Sequence, residues 1–296
     1  MSENIKNNNN EFINLTEDGG IKKKIIKDGS GIQASPNKEV VIKYTSKYND
    51  KIFDESITSP YRFTLGKKEE IKGLEMAVLS MKVGEKSLFT IEPKYAYEEV
   101  QISSIIPKNG VINLEIELIQ VLEGRKDLNE MDYPEKISRG KQLKLKGDDQ
   151  FKRGDFLYAK HYYIKAIEYL QTLDLSDEDQ EDGINLLCLT ISNLCNCLNK
   201  LSDYNAVIEF TSRGIKIQKL TKYFYFRAIA YAQRNEIDLA EKDLESLKEC
   251  LKKDKKDTND EGVKYILKLI ENKKNKDIEE NKKFSKNLLS HNKYDK

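Results

Sequence analysis

The sequence predicts an α+β domain followed by an all-α domain, and three observations predict it. Apolar and polar residues alternate at a two-residue period up to about Leu122, one helical stripe interrupts them, and after Glu123 the period becomes 3.6 and repeats.

With 296 residues the chain has room for two cores. Ile112, Leu114, Ile116 and Leu118 alternate with Asn113, Glu115 and Glu117, as in a half-buried strand. Ile21, Ile25 and Ile26 suggest an edge strand, and Glu39 to Tyr44 a second one. Ile71, Leu74, Val78 and Met81 recur at three- and four-residue steps and mark one helix face. Together they predict an antiparallel sheet with one packed helix over residues 19–124. Residues 1–18 are expected to be a disordered tail, because the Asn7–Asn10 run has nothing to bury.

A polar linker over 125–134 follows, and Pro134 suits the first turn of a helix. The helical region expected over 135–271 repeats itself. Gly147, Ala159, Tyr163 and Ala166 stand at steps of 12, 4 and 3, matched by Ala228, Ala240, Leu244 and Leu247. A weaker copy, Cys195, Val207, Thr211 and Gly214, lies between them. Small residues at these steps let two antiparallel helices approach, and such pairs stack. The second and third copies start 33 residues apart but the first and second 48, so Asp174–Asp182 reads as an insertion. Turns are expected at Arg153–Phe156 and Ser202–Tyr204. A last stripe, Val263, Ile266, Leu267 and Ile270, predicts a helix covering the third pair, and 272–296 is expected as a charged tail, a frayed helix or disordered.

Composition narrows the function. Lys and Arg total 51 against 50 acidic residues, a net charge of +1, which gives no basic face for nucleic acid. No run approaches the ~18 apolar residues of a membrane span, and the polar N-terminus has no secretory core. Cys188, Cys195, Cys197 and Cys250 fit no zinc or redox spacing, and the chain has two histidines, so neither metal nor cofactor is expected. Reduced, partly buried cysteines point to the cytoplasm.

Segments of the first half then acquire a meaning in order. Val41–Thr45, Lys51–Ser56, Phe63–Gly66, Glu69–Gly73, Met81–Glu85, Tyr95–Tyr97 and Ile105–Pro107 follow one another at the spacing of the FKBP prolyl isomerases, which Gly20–Glu123 resembles. Glu135–Leu269 looks like the tetratricopeptide (TPR) domain that larger members of that family carry.

The resemblance implies a peptidyl-prolyl cis-trans isomerase with an apolar aromatic cup. Tyr44, Phe53, Asp54 and Tyr97 would be its catalytic residues. Tyr61, Phe63, Ile71, Leu74, Ile105, Ile106 and Leu114 would form the substrate or macrolide pocket. The Tyr97 hydroxyl and the Ile71 N–H would hold substrate carbonyls, and Asp54 would orient Tyr44 or face a carbonyl carbon. Leu74 stands where the family has Trp, Leu114 where it has an aromatic and Glu70 where it has an apolar residue. The loop Glu98–Ile102 replaces a glycine-containing one. Reduced activity and weak macrolide binding are therefore expected. The alternative is a non-catalytic TPR scaffold or co-chaperone with a degenerate recognition module.

Proline-containing clients are the implied partners, and the tail of a cytosolic heat-shock chaperone is a further one. Its Glu-Glu-Val-Asp end is gripped in the family at positions that map to Lys144, Asp148, Asn193, Lys222 and Phe226. Lys144, Asn193 and Lys222 fit. Asp148 places a negative charge where a carboxylate docks, and Phe226 removes a planar bidentate donor, so a weak grip or a less acidic peptide is expected.

Overall fold

The computed structural model describes residues 11–56, 60–97, 106–107, 109–174 and 181–291. The chain divides into two compact units, Met1–Lys136 with Asp149–His161, and Ile137–Asp148 with Tyr162–Lys296.

The first unit is built on an antiparallel sheet. Its strands are β1 (Ile13–Asn14), β2 (Ile21–Lys27), β3 (Glu39–Tyr48), β4 (Lys51–Glu55), β5 (Tyr61–Thr64), β6 (Lys86–Ile91) and β7 (Ile112–Leu122), with helix α1 (Lys72–Leu79) between β5 and β6. The order is β1-β2-β6-β7-β3-β4, with β5 also pairing β3. Ile112, Leu114, Ile116 and Leu118 are all buried, as their alternation requires. Leu74 and Val78 face the core from α1, while Ile71 is its N-cap and Met81 lies just past its end. At Gly73 a Cβ would stand 2.5 Å from Ile91 Cγ2 and 2.9 Å from the Tyr95 carbonyl, so only glycine lets α1 lie this close to β6.

Three sequence expectations are corrected here. Strand β2 is not an edge: it pairs β6 on one side and the two-residue β1 on the other. Nor is β3, which pairs β7, β4 and β5, and that is why its first four residues are all buried. Of the segment expected as a disordered tail, residues 1–10, with the Asn7–Asn10 run, lie outside the described residues, while Ile13–Asn14 form β1. The segment ends in a turn where the Asp18 carboxylate accepts from Gly20 N–H at 2.9 Å and pairs with Lys94 at 2.5 Å.

A buried charge network locks β2, the end of α1 and β6 together. Lys23 Nζ, from β2, lies 2.8 Å from Glu85 Oε1 and donates to the Ser80 carbonyl at 2.6 Å. Glu85 also accepts from Ser87 Oγ at 2.6 Å and Lys82 N–H at 3.1 Å. Both charged side chains are close to fully buried, at 5% and 6% exposure, and the hydrogen bonds replace their lost water.

The helices are α2 (Tyr133–Lys152), α3 (Phe156–Leu170), α4 (Glu181–Lys200), α5 (Tyr204–Ile217), α6 (Thr221–Gln233), α7 (Ile237–Lys253) and α8 (Glu261–His291). Asp132 and Glu135 form a capping box at the start of α2, with Pro134 in the first turn. Each helix pair is joined by the same short turn. Gly154, Ser202 and Asn235 take φ of 81, 58 and 65°. The following N–H groups of Asp155, Asp203 and Glu236 reach back to the carbonyls of Gln150, Leu198 and Tyr231 at 3.0, 3.0 and 2.9 Å. This is the six-to-one bond of a Schellman ending.

In the second unit small residues receive large ones. A Cβ at Gly147 would meet the Tyr163 ring at 2.7 Å, and one at Gly214 the Tyr223 ring at 2.5 Å. The Arg227 guanidinium forks onto Asp243 at 2.7 and 2.8 Å, tying α6 to α7. In α8, Val263, Ile266 and Ile270 are buried but Leu267, expected in that stripe, is 43% exposed. One residue past Ile266 turns it about 100° off the face. The segment from 272, expected as either a frayed helix or a disordered tail, takes the helical alternative and continues α8 to His291. Its Lys and Glu residues are good helix formers, and Lys274 pairs with Glu241 at 2.6 Å. Of the insertion, residues 175–180 lie outside the described residues.

Replacing Lys23 by Met leaves a buried carboxylate without its cation. Urea unfolding is expected to show a loss of about 3 kcal/mol or more, and an unchanged midpoint would mean that the Lys23–Glu85 pair does not hold the sheet.

Candidate functional site

Local backbone irregularity builds the site. Between β3 and β4, Ser46 faces Asp54 and Lys47 faces Ile52, so Phe53 is the extra residue of a bulge. A bulge re-aims side chains, and here both Phe53 and Asp54 turn inward, at 0% and 3% exposure. The Tyr44 hydroxyl donates to Asp54 Oδ2 at 2.5 Å, and Asp54 Oδ1 accepts from Glu55 N–H at 2.9 Å. Tyr61 from β5 meets Tyr44 edge-on at 6.1 Å and stacks on Phe63 at 5.9 Å. Its hydroxyl donates to the Glu70 carboxylate. Ile71 and Leu74 come from the start of α1, and Leu114 from β7. Tyr97 follows the 3-10 turn Pro93–Tyr95 and meets Phe53 edge-on at 6.5 Å.

Six of the expected residues, Tyr44, Asp54, Ile71, Leu74, Tyr97 and Leu114, line one cavity. Phe53, Tyr61, Phe63 and Ile106 are buried in the first unit but do not line it. Ile105 and the loop 98–102 lie outside the described residues. Ser46, Glu70 and Tyr158 complete the lining. Ser46 was legible, since it follows Tyr44 by two on the same strand face. Glu70 stood out as a charge at an apolar position, and the Tyr61 hydroxyl explains it.

Tyr158 had no signal, nor had Gln150. Both belong to the stretch 149–161, whose turn was expected at Arg153–Phe156 but whose flanking helical residues read as ordinary helix. The Tyr158 hydroxyl lies 3.3 Å from Asp54 Oδ2 and 3.3 Å from the Tyr97 hydroxyl. Gln150 Nε2 donates to the Phe53 carbonyl at 2.9 Å and to Asp54 Oδ1 at 3.2 Å. The turn fixes them. Asp155 accepts from Tyr158 N–H at 3.2 Å, as an N-cap does, and Phe151 and Phe156 meet edge-on at 5.1 Å across the turn. The space left in the cavity is about 10 Å³, room for one water.

The second candidate site lies in the second unit. Asp148 accepts from Lys144 Nζ at 2.6 Å, from Asn193 Nδ2 at 2.9 Å and from the Tyr163 hydroxyl at 2.9 Å. Burial and the Asp148 carboxylate push the Tyr163 phenol up. Asp148 thus binds two of the expected clamp residues to itself. On α6 Lys222 is exposed and Phe226 half-buried, the latter edge-on to Tyr225 at 5.4 Å. Arg227 is held by Asp243, and by Ser212 Oγ at 2.9 Å.

Among the described residues no group of three His, Cys, Asp or Glu could hold a metal, and no helix is long and apolar enough to cross a membrane. All four cysteines are free, and burial pushes the Cys188 thiol up.

Burial raises the phenols of Tyr44 and Tyr97 above the ordinary value of 10.0, with the Asp54 carboxylate adding to the effect on both. Phenols raised in the folded state stabilise it fully below the unfolded value, and that stability drains away as pH rises past about 10. Unfolding midpoints from pH 8 to pH 11 are therefore expected to fall, less steeply in a Tyr44→Phe, Tyr97→Phe chain. Parallel curves for the two would mean that these phenols ionise as freely folded as unfolded.

Comparison with known proteins bears on both units. Residues 30–119 match the profile of the FKBP-type peptidyl-prolyl cis-trans isomerases. Peptidyl-prolyl cis-trans isomerase FKBP4 of Bos taurus is 29% identical over 287 residues, covering 94% of this chain and 60% of that protein. Inactive peptidyl-prolyl cis-trans isomerase FKBP6 of Mus musculus is 26% identical over 230 residues, covering 73% of this chain and 70% of that one. A multi-domain immunophilin from Arabidopsis thaliana, known from its crystal structure, aligns at 26% identity over 80% of this chain and 96% of that one, with a TM-score of 0.37 that carries no weight. The chain spans only 60% and 52% of the Bos taurus and Homo sapiens FKBP4 proteins. The profile match lies within the sheet unit and the likenesses run on through the helices, so the chain is similar to the FKBP-type immunophilins, with a helical C-terminal part.

Proposed function

We propose that the sheet unit accelerates cis-trans isomerisation of Xaa-Pro bonds, at a reduced rate, in proline-containing client proteins. The uncatalysed step is slow because twisting the amide destroys its resonance, a barrier of ~18–20 kcal/mol. The twisted amide has lost its charge separation, so an apolar cup favours it over either planar isomer with no acid, base or metal. The arrangement that carries this reading is the buried Tyr44–Asp54 pair, with Phe53 beside it and Tyr97 across. Leu74 and Leu114 offer the twisted amide less area than aromatic rings, which supports the reduced rate and weak macrolide binding.

A second reading, a recognition module without catalysis, has its own support. A relative of comparable identity is named inactive, and the cavity is small. A protease-coupled assay on an Xaa-Pro peptide separates the two. The full chain is expected to exceed background, and Asp54→Ala to lose about tenfold or more, the weight of one charge-assisted hydrogen bond. No rate above background would leave the module reading.

The helical part is proposed to hold a peptide of a partner, in the cytoplasm where its thiols stay reduced. A chaperone tail ending in Glu-Glu-Val-Asp is expected to bind weakly. Its carboxylate would meet Asp148, and Lys144 and Asn193 already donate to Asp148. Neither nucleic acid nor a membrane is a proposed partner. Titration of the full chain with Met-Glu-Glu-Val-Asp is expected to show weak binding, strengthened about tenfold or more by Asp148→Asn with Phe226→Arg. Low-micromolar binding by the unmodified chain would contradict this, and no gain from the double change would sink the clamp assignment.

A further inference from the structure

We propose that the stretch 149–161 is an internal ligand of the aromatic cup, a latch that must leave before any peptide enters. The proposal rests on reading the cup as the prolyl site, and deepens it by naming what regulates it.

The contacts are those of a ligand rather than of a packed core. A core contact at this place would be apolar, yet the stretch presents a carboxamide and a phenol. Gln150 is fully buried, and its Nε2 donates to the Phe53 carbonyl at 2.9 Å and to Asp54 Oδ1 at 3.2 Å. A peptide amide would offer the same donor to the same carbonyl and carboxylate. The Tyr158 hydroxyl stands 3.3 Å from both Asp54 Oδ2 and the Tyr97 hydroxyl, so the two polar groups of the cup reserved for substrate are engaged. The Tyr158 ring packs on Phe53 and Tyr97 at 6.4 and 6.2 Å, on the apolar surface that a prolyl ring would use.

The latch is also built to release. Gln150 Oε1 is buried with no hydrogen-bond partner, so closing leaves one acceptor unsatisfied. The outer contact, Arg153 to Glu55 Oε1 at 2.7 Å, is about 30% exposed on both sides and is weakened by salt. Ligand and latch compete for the same atoms, so each weakens the other by the same factor.

The test uses the full chain and its Gln150→Ala, Tyr158→Ala double variant. Calorimetry with a rapamycin-type macrolide reads ligand entry, and hydrogen exchange at Phe53–Glu55 without ligand reads the cover. The double variant is expected to bind the macrolide about tenfold tighter or more, since two or more hydrogen bonds no longer compete. Its β4 amides are expected to exchange faster while those of β7 do not. Equal, measurable affinity in the two chains overturns the latch, and so does unchanged exchange. If exchange rises but neither chain binds macrolide nor turns over peptide, the prolyl-site reading falls and the latch stands as a cover. Tyr158→Phe keeps the ring and loses only the hydroxyl. Should the double variant fail to fold, this variant decides, with a smaller gain in affinity expected and no gain overturning the proposal.

Discussion

A carboxylate that is almost wholly out of water sets the terms for the first unit. Asp54 is 3% exposed, and a charge so placed is tolerable only when its lone pairs are filled. Tyr44, the Glu55 amide, Gln150 and Tyr158 fill them. Each of these is fixed by a separate device. The β3–β4 bulge turns Asp54 inward, the sheet register places Tyr44 on the same face, and the turn at Gly154 with its Asp155 cap delivers Gln150 and Tyr158. Loss of any one device leaves the charge short of partners.

The two units satisfy the same demand in different ways. The sheet buries charges in pairs and networks, as at Lys23–Glu85, because strands far apart in sequence must be pinned in one register. The helical unit uses small residues under large rings, Gly147 under Tyr163 and Gly214 under Tyr223, with Arg227–Asp243 as its partly buried fork. Asp148 shows how one residue changes a site's character. Its carboxylate draws Lys144, Asn193 and Tyr163 to itself, three donors that would otherwise be open to another acceptor.

Much of this was legible in the sequence, for identifiable reasons. The β7 alternation, the α1 stripe and the small-residue steps of the helices are periodic signals, and periodicity survives without knowledge of neighbours. Turn positions at Gly154 and Ser202 were legible because their chemistry is local. What failed depended on partners. No pattern in Ile21–Lys27 reveals that two residues before it will cover its edge, and Leu267 differs from Ile266 only by a helical step. The site split along the same line. Tyr44, Asp54, Leu74 and Tyr97 were found from ordered motifs, while Gln150 and Tyr158 lie about a hundred positions downstream, where nothing distinguishes them from any solvated helix face.

The order in which the elements occur along the chain has a consequence for its synthesis. The central ladder of the sheet joins β3 to β7, and β7 ends at Leu122. The residues that fill the cup begin only at Asp149. Domains fold in the order in which they are made, so a sheet whose last strand precedes the filling residues is free to close before those residues dock. A nascent molecule would then pass once through a stage with its cup complete and not yet covered. On the proposed reading of the cup as the prolyl site, that stage would leave it open to any proline-bearing segment nearby, including those of its own unfinished chain.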